Sequence, residues 1–437
     1  MRGAGEQFAW PVSGRVADLD QQTRRRLLER TTSSDPVVRV RVAAIIERVR
    51  QDGDAALRAL ASELDGVSLE ALEVPGARWT RALDALDRPL RAAMERAARN
   101  IETAHAAFRP AAQEVETEPG IVIGRRPDPL GRVGVYAPGG RAVYPSSVLM
   151  GAVPARVAGV GEIVLCSPPQ GDGSPSPVVL AAAALSGVDR VFALGGAGAI
   201  AAMAYGTVSV PRVDRIVGPG NAYVAEAKLQ VSGNVAIDSP AGPSELLVIS
   251  DASADPDLVA RELVAQAEHD PDTFVFAIVI GASAARAVEA ALERAIAAAP
   301  RQAIVTAALA ARGGIVQAES IEEAIVLANE IAAEHVLVAC DAPDRVVAAL
   351  RGAGTVFVGA TSSVAFGDYM TGANHVLPTG GLARCYSGLS TLDFVRWTTY
   401  QRIDRSAAAR LASDVGIFAD AEGLPGHASA ARAWSRT

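Results

Sequence analysis

Cysteine is scarce in this chain of 437 residues. Its three cysteines, Cys166, Cys340 and Cys385, are too scattered for a disulfide framework and are not spaced as a zinc site. A reducing cytoplasm is therefore the expected setting. Positive charge is not in excess either. The net charge of -8 at pH 7 leaves no surplus of Lys and Arg to neutralise phosphates, so nucleic acid is set aside as a partner. Long apolar runs are also missing. The longest, at 273–285, is followed by Arg286 and falls well short of the about 20 residues a membrane helix needs, so it reads as a buried strand and no membrane partner is expected. Residues 1–14 carry Glu6 and Pro11 without a sustained apolar core, which argues against a secretory signal. Histidine is rare enough, at five residues, that the company each one keeps is informative.

What is present is apolar and alanine-rich. With 50% hydrophobic and 21% charged residues, a chain of this length can bury large cores and is expected to form two or more globular units. Residues 24–30, 37–64 and 77–106 place apolar side chains at helical spacing, and the Arg24, Arg25, Arg26 cluster reads as a solvated helix face. From Arg132 onward, short Val- and Ile-rich runs alternate with helix-like stretches, the pattern of a parallel α/β sheet. Strands are predicted at 133–136, 162–166, 190–194 and 215–217, with helices starting near Ser146, Pro177 and Gly198, and a polar loop at 167–177. A second set follows, with strands at 246–250, 273–280, 314–316, 335–338 and 355–358 and helices at 256–268, 284–298 and 321–333.

The fold class is α/β, with two Rossmann-like open parallel-sheet units of comparable size, as an old duplication would leave, although no residue-level repeat is found. The division reads as a helical segment, 1–130, packing on the second α/β unit; a first α/β unit, 131–240; a second, 241–380; and a tail, 381–437. The tail is helical over 392–437 and too small to stand alone, so it packs on something else, with a second subunit as one option.

Four histidines lie in polar, carboxylate-bearing segments. His269 follows Gln266 by three residues, a spacing that puts both on one helical face. His335 follows Glu334 at a helix-to-strand junction, His375 comes seven residues after Asp368, and His427 comes five after Glu422. The fifth, His105, lies among alanines on a helix and needs no role. Singly, each of the four reads equally well as a surface or structurally satisfied residue. Together they are compatible with a His/Asp metal site of the kind that holds zinc, although spacing does not say which residues coordinate.

Glycine gives a second hint. Gly196, Gly198 and Ala201 match GxGxxA after a strand, the context of a dinucleotide loop or simply of a tight turn. The acidic residue expected about 20 positions on would be Asp214, but it precedes a strand instead of ending one. Glycine turns at 136–140 (YAPGG) and 218–221 (GPGN) also fall at strand ends. Cys166 ends a strand as well, so a thioester route is worth weighing, but an apolar strand end favours a small buried side chain over a reactive thiolate.

At these segments the sequence resembles histidinol dehydrogenase over about residues 24–432. The resembling blocks, in order, are YAPGGRAVYPSSVLMGAVPARVAGV, AAMAYGTVSVPRVDRIVGPGNAYVAEAK, AIDSPAGPSE, LVAQAEHD, AAEHVLV, GDYMTGANHVLPTGG and EGLPGHA. The resemblance implies one zinc per subunit on Gln266, His269, Asp368 and His427. It implies substrate contacts from Ser244, Glu334, His335, His375 and Glu422 besides the metal ligands, and NAD contacts from Tyr136 and Asn221. It further implies a homodimer in which tail residues, Glu422 and His427 among them, complete the partner's site. Three positions depart from the family pattern: Gly198 stands where a cofactor-contacting glutamine is usual, Gly151 where Asn is usual, and TSSVAF at 361–366 where YSPEA is frequent.

The chemistry so implied is a four-electron oxidation of L-histidinol through histidinal to L-histidine, the last step of histidine biosynthesis. His335 serves as proton acceptor and Glu334 as activator of water. The alternatives are a paralogous zinc- and NAD-dependent dehydrogenase acting on another polar alcohol such as a sulfonated diol, a catalytically lapsed binding protein, and a zinc hydrolase that needs no NAD.

Overall fold

The computed structural model describes residues 8, 10–30, 35–139 and 143–436. Gly140 of the YAPGG turn and most of 1–9 lie outside the described residues. Strands are numbered in chain order: β1 Val12–Arg15, β2 Gln113–Glu118, β3 Ile121–Pro129, β4 Arg132–Tyr136, β5 Glu162–Ser167, β6 Arg190–Ala193, β7 Arg215–Val217, β8 Ala236–Ile237, β9 Glu245–Ser250, β10 Phe274–Ile280, β11 Gly313–Ala318, β12 His335–Ala339, β13 Thr355–Val358 and β14 Val395–Ile403. Eleven of them form two open sheets, in the orders β6-β5-β4-β7-β8 and β1-β11-β10-β9-β12-β13, in which every pairing is parallel, and the other three form an antiparallel sheet, β14-β3-β2. The expected α/β class with parallel sheets and a C-terminal helical tail is the fold observed.

Apolar runs become strands here because both sheet faces are covered. In β9, Leu246 and Val248 join one core while Leu247 and Ile249 join the other, and β10 and β12 split the same way. Parallel neighbours need crossovers, which the intervening helices supply. Among the described residues no helix is long and apolar enough to cross a membrane.

Three parts of the expected layout are corrected. The helices spanning 36–107 pack on the first sheet unit and not on the second: Val42, Ile46, Leu57 and Ile101 share one core with Val135, Leu165 and Ile200. The reason lies in the helices Pro145–Ala158, Pro177–Ser186 and Gly196–Tyr205. They are buried on nearly all sides and need a further amphipathic layer to shield them. Among the described residues, the stretch from residue 8 to residue 30 joins the second unit instead, through Phe8, Trp10, Val12, Val16 and Leu27. Residues 1–130 also are not purely helical, since β2 and β3 form an antiparallel pair there. Nor is the tail helical throughout: β14 pairs antiparallel with β3 before the helices Arg405–Ala421 and Pro425–Arg432 begin.

Candidate active site

The second sheet presents its amino edge to the candidate site. Glu245 starts β9 and His335 starts the adjacent β12, where His335 is in register with Leu246. Glu334 and His335 are therefore held side by side, 5% and 3% exposed. One Glu334 carboxylate oxygen, Oε2, accepts hydrogen bonds from the Ser244 hydroxyl and the Glu245 backbone N–H, each at 2.7 Å. His335 Nδ1 lies 2.9 Å from the Glu245 carbonyl and 3.3 Å from that same Glu334 oxygen. In the neutral ring, an Nδ1–H donating to the carbonyl leaves Nε2 as the acceptor. Nε2 is buried without a hydrogen-bond partner. Asp368 Oδ1 lies 3.6 Å from it, within ion-pair reach but too far for a hydrogen bond. Burial works to lower the basicity of His335, but the carboxylates of Glu334 and Asp368 outweigh it and push its pKa up to about 10.

Gln266, His269 and Asp368 gather beside this pair. Gln266 is 2% exposed on the last turn of the helix Pro256–Ala267. His269 stands just past the end of that helix, its Nδ1 at 3.5 Å from the Gln266 amide nitrogen. Asp368 comes from the short helix Val364–Tyr369, whose first N–H donates to Glu262 on the Gln266 helix at 3.0 Å. Burial would raise the Asp368 pKa, but the nearby His335 imidazole and its charge, then the charges of His375 and His269, hold it below the usual carboxylate value. A buried amide, an imidazole and an ionised carboxylate make a nitrogen and oxygen donor set that fits a borderline cation such as zinc. Among the described residues no three His, Cys, Asp or Glu side chains converge as a metal site.

His375 closes the cluster from a loop that bridges the two sheet units. Its Nδ1 is 2.9 Å from the Asp368 carbonyl, and its Nε2 is 3.5 Å from Ser147 on the helix Pro145–Ala158. The adjacent Asn374 donates to the Met150 carbonyl at 2.7 Å. Burial lowers the His375 pKa.

A family model for histidinol dehydrogenase matches residues 28–434. The chain belongs to the histidinol dehydrogenase family. It is 42% identical to the histidinol dehydrogenase of Methanosarcina barkeri over 96% of both chains, and 47% identical to that of Xanthomonas axonopodis pv. citri over 89% of this chain and 90% of the relative. The crystal structure of histidinol dehydrogenase from Elizabethkingia anophelis superposes with a TM-score of 0.92 at 33% identity, covering 97% of this chain and 98% of that one.

The NAD contacts that the histidinol dehydrogenase resemblance implies lie at the carboxyl edge of the first sheet, where open α/β sheets bind ligands. Tyr136 ends β4, and its hydroxyl accepts the Gly196 N–H at 3.0 Å at the start of the helix Gly196–Tyr205. Asn221 is exposed and caps the helix Ala222–Val231, accepting from Tyr223 and Val224. Gly198 is buried, and a Cβ added there would come within 3.1 Å of Leu60 Cδ1. Close packing against the helix Asp54–Leu60 thus accompanies the departure from the family's glutamine. Cys166 is wholly buried, and burial pushes its thiol far above the ordinary value, which leaves no thiolate for a covalent route.

Glu422 and His427 are not brought to the cluster within one chain. Both are exposed on the tail, and among the described residues no hydrogen bond or ion pair links either to Gln266, His269 or Asp368. Sequence reasoning missed two residues that underlie the site, Arg30 and Glu245. Glu245 carried a faint signal, a carboxylate directly ahead of an apolar strand. Arg30 carried none, because its partner lies 215 residues away.

Proposed function

We propose that this chain oxidises L-histidinol through histidinal to L-histidine with NAD and one zinc ion per subunit. The observation that carries the reading is the buried Glu334–His335 pair, with His335 Nε2 unpartnered and aimed toward Asp368 at 3.6 Å. Gln266, His269 and Asp368 would hold the zinc, joined by His427 of a second copy of the chain. When bound, zinc supplies a positive charge that anchors nitrogen groups of the substrate and offsets the Asp368 carboxylate. NAD, the co-substrate, takes up one hydride per oxidation.

The chain's own groups divide the remaining work. With bound zinc offsetting the Asp368 charge that raises its basicity, the neutral His335 ring would take the alcohol proton at Nε2 in the first oxidation, return it to the aldehyde oxygen as water adds, and take the hydrate proton in the second, since its Nδ1 is committed to the Glu245 carbonyl. Glu334, held on one oxygen by Ser244 and the Glu245 N–H, has its other oxygen to activate water against the aldehyde. Ser244, His375 and Glu422 line the substrate, while Tyr136 and Asn221 flank NAD, with Gly198 at the same edge. Burial of the pair keeps bulk water from a reactive aldehyde.

The test is NADH formation by the purified, zinc-loaded protein with limiting L-histidinol, followed to completion. Two NADH per histidinol, lost on chelation and restored by zinc, is the expected result. No NADH from histidinol in a protein that retains zinc would overturn the reading in favour of another polar alcohol.

A further inference from the structure

Beneath the proposed catalytic pair lies a second, fully buried pair of opposite charge. Arg30 follows the helix Gln21–Leu28, and its side chain and that of Glu245 are each 3% exposed. Its Nε donates to Glu245 Oε1 at 2.8 Å and its Nη2 to Oε2 at 3.3 Å, a forked contact that a lysine cannot make. Nη2 also donates to the Ile331 carbonyl at 2.7 Å, Nη1 donates to the Leu27 carbonyl, and the guanidinium lies 4.5 Å from the Phe274 ring centroid.

Glu245 in turn touches both proposed bases. Its N–H donates to the Glu334 carboxylate and its carbonyl receives His335 Nδ1. Its own carboxylate accepts the Glu334 N–H at 3.2 Å and the Gly380 N–H at 2.9 Å. One residue therefore fixes a carboxylate, an imidazole and the backbone between β9 and β12, and one guanidinium fixes that residue. A buried ion pair gains little stability over packed apolar side chains, so stability alone is a poor reason to bury a guanidinium here. Geometry is a better reason, because hydride and proton transfer are sensitive to displacements of about 1 Å.

We propose that Arg30 and Glu245 are positioning residues for the Glu334–His335 pair. The inference rests on the functional reading above for its kinetic consequence and stands apart from it for its structural one. Arg30→Met in the full-length, zinc-loaded protein should lower kcat about 100-fold for histidinol and for added histidinal alike, with KM within about threefold of wild type. Arg30→Lys, which keeps the charge and loses the fork, should recover part of that loss.

The second readout is the ring N–H of His335 in protein labelled with 15N-histidine. Five histidines make the spectrum tractable, and His335→Asn assigns the signal. The Nδ1–H resonance should be protected from exchange in wild type, retained in Arg30→Lys and lost in Arg30→Met. If Arg30→Met does not fold, the same comparison is made between Arg30→Lys and Glu245→Gln, with Glu245→Gln expected to show the larger kinetic and spectral change. A folded variant of the pair with wild-type kcat and an unchanged His335 signal overturns the proposal. If wild-type protein makes no NADH from histidinol, the functional reading fails, and the His335 signal alone decides whether Arg30 and Glu245 position that ring.

Discussion

His335 has one ring nitrogen tied to a carbonyl and the other buried without a partner, while Glu334 has one oxygen doubly hydrogen-bonded. That asymmetry assigns different consequences to the two substitutions. His335→Asn removes the acceptor needed at both oxidations and should lower kcat for histidinol by about 10²–10⁴-fold, the usual weight of a positioned base. Glu334→Gln keeps the hydrogen-bonded shape but removes the base for water, so the oxidation of added histidinal should slow more than the first hydride transfer. Single-turnover traces with histidinol and histidinal separate the two, and equal losses in both variants would refute the division of labour. Cys166→Ser should leave kcat within about twofold, because a thiol that is wholly buried and kept protonated performs no covalent step. The histidines of the site stood out in the sequence because they are rare, and the carboxylates were noticed as their neighbours in sequence. Their order of duty was not, since it depends on Glu245, which brings Glu334 and His335 together across two strands.

The turn Gly218–Asn221 shows how an element is held in a conformation its own sequence does not guarantee. Gly218 has φ +118°, and a Cβ there would collide with the Tyr136 carbonyl. The buried Lys228 donates to the Gly218 carbonyl at 3.1 Å and the buried Asp238 accepts its N–H at 2.8 Å, while the two side chains form an ion pair with each other. Lys228→Met would leave Asp238 buried and unpaired, at a cost of about 3–5 kcal/mol, and should raise KM for NAD; urea denaturation and saturation with NAD measure the two effects. In the helix Arg88–Ala107, His105 is 2% exposed with neither ring nitrogen hydrogen-bonded, and burial lowers its pKa from 6.5 to about 4. The unfolded chain therefore binds this proton first as pH falls. The contribution is intact above the unfolded value and is lost progressively toward the folded one, about 3 kcal/mol in all. Relative to wild type, His105→Leu should gain stability between about pH 7 and about pH 4.5, and equal urea midpoint differences at both would count against this assignment. The strands of the two parallel sheets, apart from the short edge strands β1 and β8, were readable as apolar runs because both faces are covered. The antiparallel strands were not: β2 is exposed throughout and β14 has no buried residue, and charged, exposed residues leave no periodic signature. The helical pattern at 37–64 likewise hid a break at Gly53, where φ is +54°.

In a single chain the donor set at the proposed zinc site is incomplete, with Gln266 and His269 in contact, Asp368 close by and His427 on an exposed tail helix. That tail also exposes Ile417 at 62% and Phe418 at 71%, apolar surface of the kind that subunit contacts cover. We propose that each tail reaches a second copy of the chain, so that every active site combines the core of one subunit with the His427 and Glu422 of the other. Mixing two variants distinguishes this from a tail that folds back on its own core. His335→Asn damages the core, and His427→Ala damages the tail, so each homodimer is inactive in either arrangement. In a heterodimer with exchanged tails, one site receives both lesions and the other receives none. Random reassociation of equal amounts makes half the dimers mixed, and half of their sites intact, so about a quarter of wild-type NADH formation should return. With tails acting in their own subunits, both sites of every heterodimer carry one lesion and no activity returns. Co-refolding the two variants, with heterodimer content verified by differently sized tags, reads the answer directly: recovery near a quarter establishes exchange, and none in a verified mixture assigns the tail to its own chain.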